Sequence, residues 1–397
     1  MRTLFLHIGH GKTGSSYIQS SIALSVGDLL KNNIVYPSIN LDDAKKGFIT
    51  SGNGGLLLSP QIFKILENSK GSDILFSSEM LFHHFIDNPN NYNVVNEFCE
   101  KEGISQVKIL LYIRNPVSHA ASDFQQSVKR GGNGNTIERF FEGYRMPANV
   151  RKFISDREKI KNSSLTIVNY SKERKALLTS FSGWLGIPES TLSTPAKKVV
   201  NRSLTYSELE FQRHLNKKLG ISGDFIADPL CNLLPDVKSE VVLPSLESQK
   251  SMISRLSQDI EFVNLHAKSN GYDIDISIEN TKRKTDLTFS QAQVEVLSQS
   301  IGNKILGLEQ ALTTLKKSLD KKEQLTTSES KAFFNSCHAK LSGSDNTANT
   351  YRELALMFEE LGNIPVALQM MKVAKSFRPD GPLINNKIKV YETLLAQ

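Results

Sequence analysis

One stretch near the start of the chain constrains the fold more than any other. Leu4-Phe5-Leu6-His7-Ile8 is an apolar run of strand type, Gly9, Gly11 and Gly14 punctuate the loop after it, and Ser15-Ser16-Tyr17 open a helical pattern. Glycines let a backbone approach a ligand and turn its N–H groups inward, and a helix N-terminus adds partial positive charge. Lys12 adds a full charge. The stretch is therefore either an anion cradle or a tight strand-to-helix turn with a surface lysine.

The same alternation continues down the chain. A helix is predicted from Ser15 to Lys31, a short strand over Ile34-Val35-Tyr36, a polar loop from Asn40 to Pro60 and a helix from Pro60 to Ser69. Asp73 to Ser78 reads as a strand ending at Glu79, and Tyr92 to Gly103 as a helix. Val107 to Ile113 is the most apolar strand candidate, which suits a central place in a parallel sheet. It ends in Arg114-Asn115-Pro116, where Asn115 is a good N-cap and Pro116 suits the first position of a helix to Arg130. Leu165 to Tyr170 is a further strand, and Arg174 to Leu185 a further helix. Amphipathic helices are predicted over Thr205 to Leu219 and Pro244 to Tyr272. The expected class is α/β, a P-loop-like parallel sheet flanked by helices.

Such a sheet binds ligands beyond the carboxyl ends of its strands. Lys12, Glu79, Arg114 and Tyr170 each follow a predicted strand end, so the pattern brings them to one cleft. Glu79 is either a helix N-terminal acid favoured by the dipole or a general base. Ser122 lies two helical turns beyond Arg114, on a face predicted to include Pro116 and His119. The loop around Gly52-Asn53-Gly54-Gly55 is either part of an acceptor pocket or a plain surface loop.

Composition removes several classes. Of 397 residues, 39% are hydrophobic and 22% charged, which is ordinary for a globular chain and argues against a disordered or fibrous one. The net charge of +7 suits an anionic ligand, but its lysine and arginine pairs are scattered, so no nucleic-acid interface is expected. No apolar run approaches the roughly 20 residues of a membrane span. The chain opens directly on a core strand, so a soluble cytoplasmic protein is expected. Cys99, Cys231 and Cys337 are far apart and read as reduced thiols without zinc spacing; no metal is expected.

Two motifs carry a family resemblance. Gly11-Lys12-Thr13 matches the end of the phosphate-loop pattern G-x-x-x-x-G-K-[ST], but Leu6 stands where its first glycine belongs. His7-Ile8-Gly9 with Lys12-Thr13-Gly14-Ser15-Ser16 instead resembles the 5′-phosphosulfate loop of sulfotransferases that use 3′-phosphoadenosine 5′-phosphosulfate. Arg114-Asn115-Pro116-Val117 with Ser122-Asp123-Phe124-Gln125-Gln126 resembles that family's 3′-phosphate site. Trp184-Leu185-Gly186-Ile187-Pro188 and Asn201-Arg202-Ser203-Leu204 are similar to later family segments, whereas Tyr170-Ser171-Lys172 departs from the usual Tyr-Glu-Asp. The resemblance covers Thr3 to Ile274.

It implies sulfuryl transfer to an acceptor hydroxyl or amine, a saccharide hydroxyl by default. Gly11, Lys12, Thr13, Gly14, Ser15 and Ser16 would hold the 5′-phosphate, with Lys12 also stabilising charge on the bridging oxygen. Arg114 and Ser122 would hold the 3′-phosphate, and Glu79 would act as base, with His83 and His84 behind it. Tyr17 is either an adenine-side ring or core. Tyr170 is an adenine-side candidate, and Arg202 either closes over the nucleotide or merely begins a helix. Asn53, His83 and Gln126 are the acceptor-side candidates. Two other readings compete: a magnesium-dependent nucleotide kinase or hydrolase with Glu79 as the metal's acid, and a non-catalytic scaffold worked by its tail.

The expected domains are 1–275, a linker over 276–290, and a helical domain over 291–397. Within the last, Tyr351, Leu354, Ala355, Phe358, Gly362, Ala367, Ala374 and Pro379 keep the spacing of one tetratricopeptide repeat over 348–381. A lone repeat cannot bury its own apolar face, so it needs neighbouring helices, the core or a protein partner.

Overall fold

A computed structural model of the chain describes residues 2–38, 41–45, 52–67, 71–195, 202–219, 224–274, 276, 286–321, 347–360, 362–379 and 381–395. Asn201, Cys337, most of the expected linker and the stretch 322–346 lie outside the described residues. The chain divides into two compact units, Met1–Lys217 with Lys238–Leu287, and Lys218–Val237 with Thr288–Gln397. The segment 218–237, expected in the first domain, thus belongs to the second unit. No helix among the described residues is long and apolar enough to cross a membrane.

The first unit is built on a five-stranded, all-parallel sheet of order β2-β3-β1-β4-β5, with β1 at Thr3–His7, β2 at Ile34–Val35, β3 at Asp73–Ser77, β4 at Gln106–Ile113 and β5 at Ser163–Asn169. Leu6 pairs in register with Phe76 on one side and Ile109 on the other. The central strands are buried on both faces, which is why they read as nearly unbroken apolar runs. On one face Phe5, Leu75, Leu110, Tyr112 and Val168 pack with Ile18 and Ile22 of α1 (Ser15–Leu24), Leu29 of α2 (Val26–Lys31), and with Leu177 and Phe181. The predicted Ser15–Lys31 helix breaks at Ser25, whose hydroxyl donates to the Ser21 carbonyl and accepts from the Ser193 amide.

Three helices frame the carboxyl edge of the sheet and the face behind it. α3 (Glu79–Asp87) begins under a Ser78 cap that accepts from the Met80 amide. α4 (Pro116–Arg130) begins under Asn115, which accepts from the amides of Val117 and Ser118. The sequence pattern predicted nothing over 131–162, where the structure places Ile137–Gly143 and α5 (Met146–Asp156). α5 is anchored by Phe153, whose ring meets Phe82 and Phe85 of α3. The predicted Pro244–Tyr272 helix divides at Leu256 into Leu246–Arg255 and Ser257–Ala267.

In the second unit, α6 (Thr347–Glu360) and α7 (Ile364–Phe377) form a helical hairpin, and α8 (Pro382–Leu395) packs on α7. Ala355, Ala367 and Ala374 are fully buried, so the backbones approach closely, and Gly362 turns the connection at φ 73°. Tyr351, Met370, Ile388 and Tyr391 complete its core.

Candidate functional site: an anion loop at the carboxyl edge

Parallel strands send all their carboxyl ends to one edge, and the strand order fixes who stands beside whom there. Glu79 follows β3, Lys12 follows β1, Arg114 follows β4 and Tyr170 follows β5. With strands roughly 4.8 Å apart, Glu79 and Arg114 flank Lys12 on opposite sides. The helices after β1 and β4 leave in opposite directions, which makes this the switch point where α/β sheets take ligands.

The loop after β1 has a consistent polarity. From Gly9 through Ser16 no backbone N–H donates a hydrogen bond among the described residues, although His10, Thr13 and Ser15 are buried. The carbonyls, in contrast, are occupied. Thr13 Oγ1 donates to the His10 carbonyl at 2.7 Å, His119 Nε2 to the Gly11 carbonyl at 2.8 Å, and Arg114 Nη1 to the Lys12 carbonyl at 3.1 Å. Buried amides left without partners are costly, so a row of them beside a lysine fits an anion nest. Gly14 caps α1 at φ 82° with no side-chain cap, which leaves the first amides of a ten-residue helix facing the same space. A Cβ on Gly14 would sit 2.7 Å from Leu177 and 2.9 Å from Tyr170, so this glycine is required on two counts. Lys12 itself holds φ 66°, a left-handed conformation that a side chain rarely adopts and that functional loops store.

The cations are arranged along one helix face. Lys12 Nζ donates to Gln126 Oε1 at 2.7 Å, and Arg114 Nε to Ser118 Oγ at 3.2 Å. Ser118, Ser122 and Gln126 are spaced i, i+4, i+8 on α4, so Ser122 lies midway on a strip about 12 Å long with a cation at each end. Pro116 and His119 are buried while Ser122 is half-buried, so Ser122 shares its face with Ser118 and Gln126 instead of the predicted pair. Arg114 Nη2 has no partner among the described residues, and its guanidinium carbon stands 5.9 Å from the centre of the Tyr170 ring. Burial lowers the Lys12 ammonium to about 8, against the attraction of Asp123, so it still carries charge at neutral pH.

Two carboxylates face Lys12. Glu79 opens α3, and its Oε2 accepts from Gln19 Nε2 at 3.1 Å. The second carboxylate is Asp123, to which the family resemblance assigns no role. It is Lys12's strongest electrostatic neighbour, and burial raises its carboxyl above the usual range while Lys12 and His83 pull it back. Its signal in the sequence was position alone, three residues before Gln126 on the same face. His83, one turn after Glu79, lies within electrostatic reach of both Asp123 and His10.

The contacts of four further candidates bear on their roles, and for Tyr17 and Arg202 they match the structural alternative. Asn53 is buried and its amide is fully occupied: Nδ2 donates to the Pro37 and Leu75 carbonyls and Oδ1 accepts from the Ser77 amide. It extends the ladder beside β3 where β2 ends, so it fastens the loop and cannot hold an acceptor. Arg202 does not reach over a nucleotide, because its fork is engaged at 2.8 Å on both oxygens of Glu208. Gln126 holds Lys12, and the Tyr17 ring packs on the sheet-face core. Behind the loop, the sequence pattern missed His119 and Tyr144 as loop supports.

Among the described residues no group of three or more His, Cys, Asp or Glu side chains is arranged to hold a metal ion. No family model, no curated protein and no solved structure matches the chain.

Proposed function

We propose that the first unit is a sulfotransferase that moves the sulfuryl group of 3′-phosphoadenosine 5′-phosphosulfate to an acceptor hydroxyl, with a saccharide as the acceptor class. The observation that carries this reading is the run of amides from Gly9 to Ser16, unpartnered among the described residues, beside Arg114, which donates to the Lys12 carbonyl while the Lys12 side chain reaches along the helix face to Gln126. A nest with Lys12 suits the 5′-phosphate, and Arg114 with Ser118 and Ser122 suits a second, fixed phosphate. Tyr170 borders the adenine side through Arg114.

In this reading Glu79 accepts the acceptor's hydroxyl proton as the acceptor oxygen bonds to sulfur. The sulfur–oxygen bond to the 5′-phosphate breaks, and its electron pair leaves with adenosine 3′,5′-bisphosphate. Lys12 moves from Gln126 toward that bridging oxygen, where charge grows. Asp123 keeps the lysine protonated. The α6–α7 hairpin, with the α8 helix closing it, is read as a tetratricopeptide-like repeat offering a surface to a protein partner.

Calorimetric titration without metal tests the proposal. Adenosine 3′,5′-bisphosphate should bind much more tightly than adenosine 5′-monophosphate, and Arg114→Ala should remove about ten- to a hundredfold of that advantage, the worth of a charged hydrogen-bonded contact. Equal affinity for the two nucleotides sinks the assignment. Magnesium-dependent binding of a nucleoside triphosphate, abolished by chelation, would transfer the site to the kinase reading.

A further inference from the structure

His119 is 1% exposed on the inner side of α4, and both of its nitrogens are engaged. Nε2 lies 2.8 Å from the Gly11 carbonyl, and Nδ1 lies 2.8 Å from the Tyr144 hydroxyl. A carbonyl only accepts, so Nε2 must carry the proton. Nδ1 is then a bare acceptor, and the tyrosine must donate to it. Burial holds the imidazole well below its ordinary pKa, so it stays neutral. Tyr144 is 5% exposed, and its own carbonyl is held by Arg255 Nη2 at 2.7 Å.

The consequence falls on the loop. No cis peptide occurs among the described residues, so the Gly11–Lys12 peptide is trans and its carbonyl and N–H point opposite ways. Holding the Gly11 carbonyl on the buried His119 therefore turns the Lys12 N–H away from that side, and this N–H, like the loop's other amides, has no partner among the described residues. His10 adds a second, longer contact from Nδ1 to the same carbonyl at 3.2 Å, and its ring meets the His119 ring at 4.3 Å. Arg114 then takes the next carbonyl. Against these contacts stands the left-handed strain at Lys12, at φ 66°, which a freed peptide would relax by flipping its N–H away from the ligand.

We propose that His119, fixed in one tautomer by Tyr144, is the positioning residue that holds the Gly11–Lys12 peptide with its N–H presented to the ligand's 5′-phosphate. The identity of that ligand rests on the sulfuryl-transfer reading, whereas the tautomer does not. Nitrogen-15 spectra of the full chain decide the tautomer directly. The proton of His119 should sit on Nε2, and Tyr144→Phe should shift the Nδ1 resonance as the acceptor loses its donor.

Titrations then separate positioning from plain packing. His119→Met keeps the length and removes the donor, while His119→Gln keeps an amide nitrogen near the place of Nε2. The methionine variant should bind adenosine 3′,5′-bisphosphate and adenosine 5′-monophosphate about three- to tenfold more weakly, equally for both because the loop grips the shared phosphate, and the glutamine variant should recover most of that loss. A proton on Nδ1 in the folded parent, or a methionine variant that binds as the parent does, overturns the proposal. A parent that binds neither nucleotide overturns the functional reading, and the spectrum then decides the tautomer lock by itself.

Discussion

The two units treat their charged groups in opposite ways. In the second unit Glu359 of α6 accepts from Lys387 Nζ at 2.7 Å on both oxygens and from the Tyr391 hydroxyl at 2.8 Å, so one carboxylate satisfies two donors of α8. At the carboxyl edge of the sheet the reverse holds. Among the described residues the amides from Gly9 to Ser16 have no partners, Lys12 rests on a neutral amide oxygen, and Arg114 Nη2 is uncommitted. A polar network that closes on itself contributes to folding, whereas one left open is folding energy withheld for a ligand. Within the first unit alone, Arg202 and Arg114 repeat the contrast: one fork is matched by a buried carboxylate and the other by a carbonyl and a serine.

The largest expected effect tests that contrast between arginines. Arg202 and Glu208 have side chains 4% and 0% exposed, and Glu208 also accepts from the Thr205 amide at 2.8 Å. Removing one partner strands a buried charge, so Arg202→Ala should destabilise the first unit by about 3–5 kcal/mol in urea unfolding. Arg114→Ala should change stability far less while weakening the bisphosphate. If Arg202→Ala instead left stability intact and abolished nucleotide binding, Arg202 would return to the site and the division between closed and open networks would fail.

Acid should separate the units next. His7 and His10 are fully buried, and burial lowers them from 6.5 to about 3 and about 4. The unfolded chain takes up protons below about pH 6.5 that the folded chain refuses until about pH 4 or lower. Stability from these groups is therefore present above pH 6.5 and lost as pH falls through that window, by about 1.4 kcal/mol per group and pH unit. At pH 5.5 the two together should cost the first unit about 3 kcal/mol. The described part of the second unit contains no histidine. Residue-resolved hydrogen exchange at pH 7.5 and 5.5 should show protection falling in the sheet strands and holding across the α6–α7 hairpin. Equal loss in both units would show that the buried imidazoles do not set the acid limit.

Elements with a dominant local signal were legible from sequence. The strands near 3–8, 73–78, 107–113 and 165–170 announced themselves as apolar runs, and Asn115-Pro116 marked the start of α4 to the residue. The convergence of Lys12, Glu79 and Arg114 followed from strand ends alone. What escaped depended on partners distant in the chain. Asn53 looked like a loop amide because nothing local says that β2 stops short and leaves Ser77 without a ladder partner on the β2 side. Arg202 looked available because its match, Glu208, lies six residues on in the first turn of the helix Tyr206–Leu219, in a pattern any surface helix could show. His119 and Tyr144 are 25 residues apart and meet only in the folded chain. The helices Ile137–Gly143 and Asp224–Leu233 are short, and the second contains Pro229, so periodicity alone could not reveal them.

The smallest expected effect probes the closed network of the second unit. Lys387 and Glu359 side chains are 27% and 29% exposed, so water already screens the pair and limits its worth. The hydrogen bonds from Lys387 and Tyr391 hold the Glu359 carboxyl below its usual value. Lys387→Met keeps the stem that packs along α8 and should cost no more than about 1 kcal/mol, read from exchange of α6 and α8 amides. Because Tyr391 still donates to Glu359 in that variant, the hairpin should keep its cooperativity. A loss of several times that size would mean the carboxylate is an organising centre for α6 and α8, and the second unit would then depend on charge as much as the anion loop does.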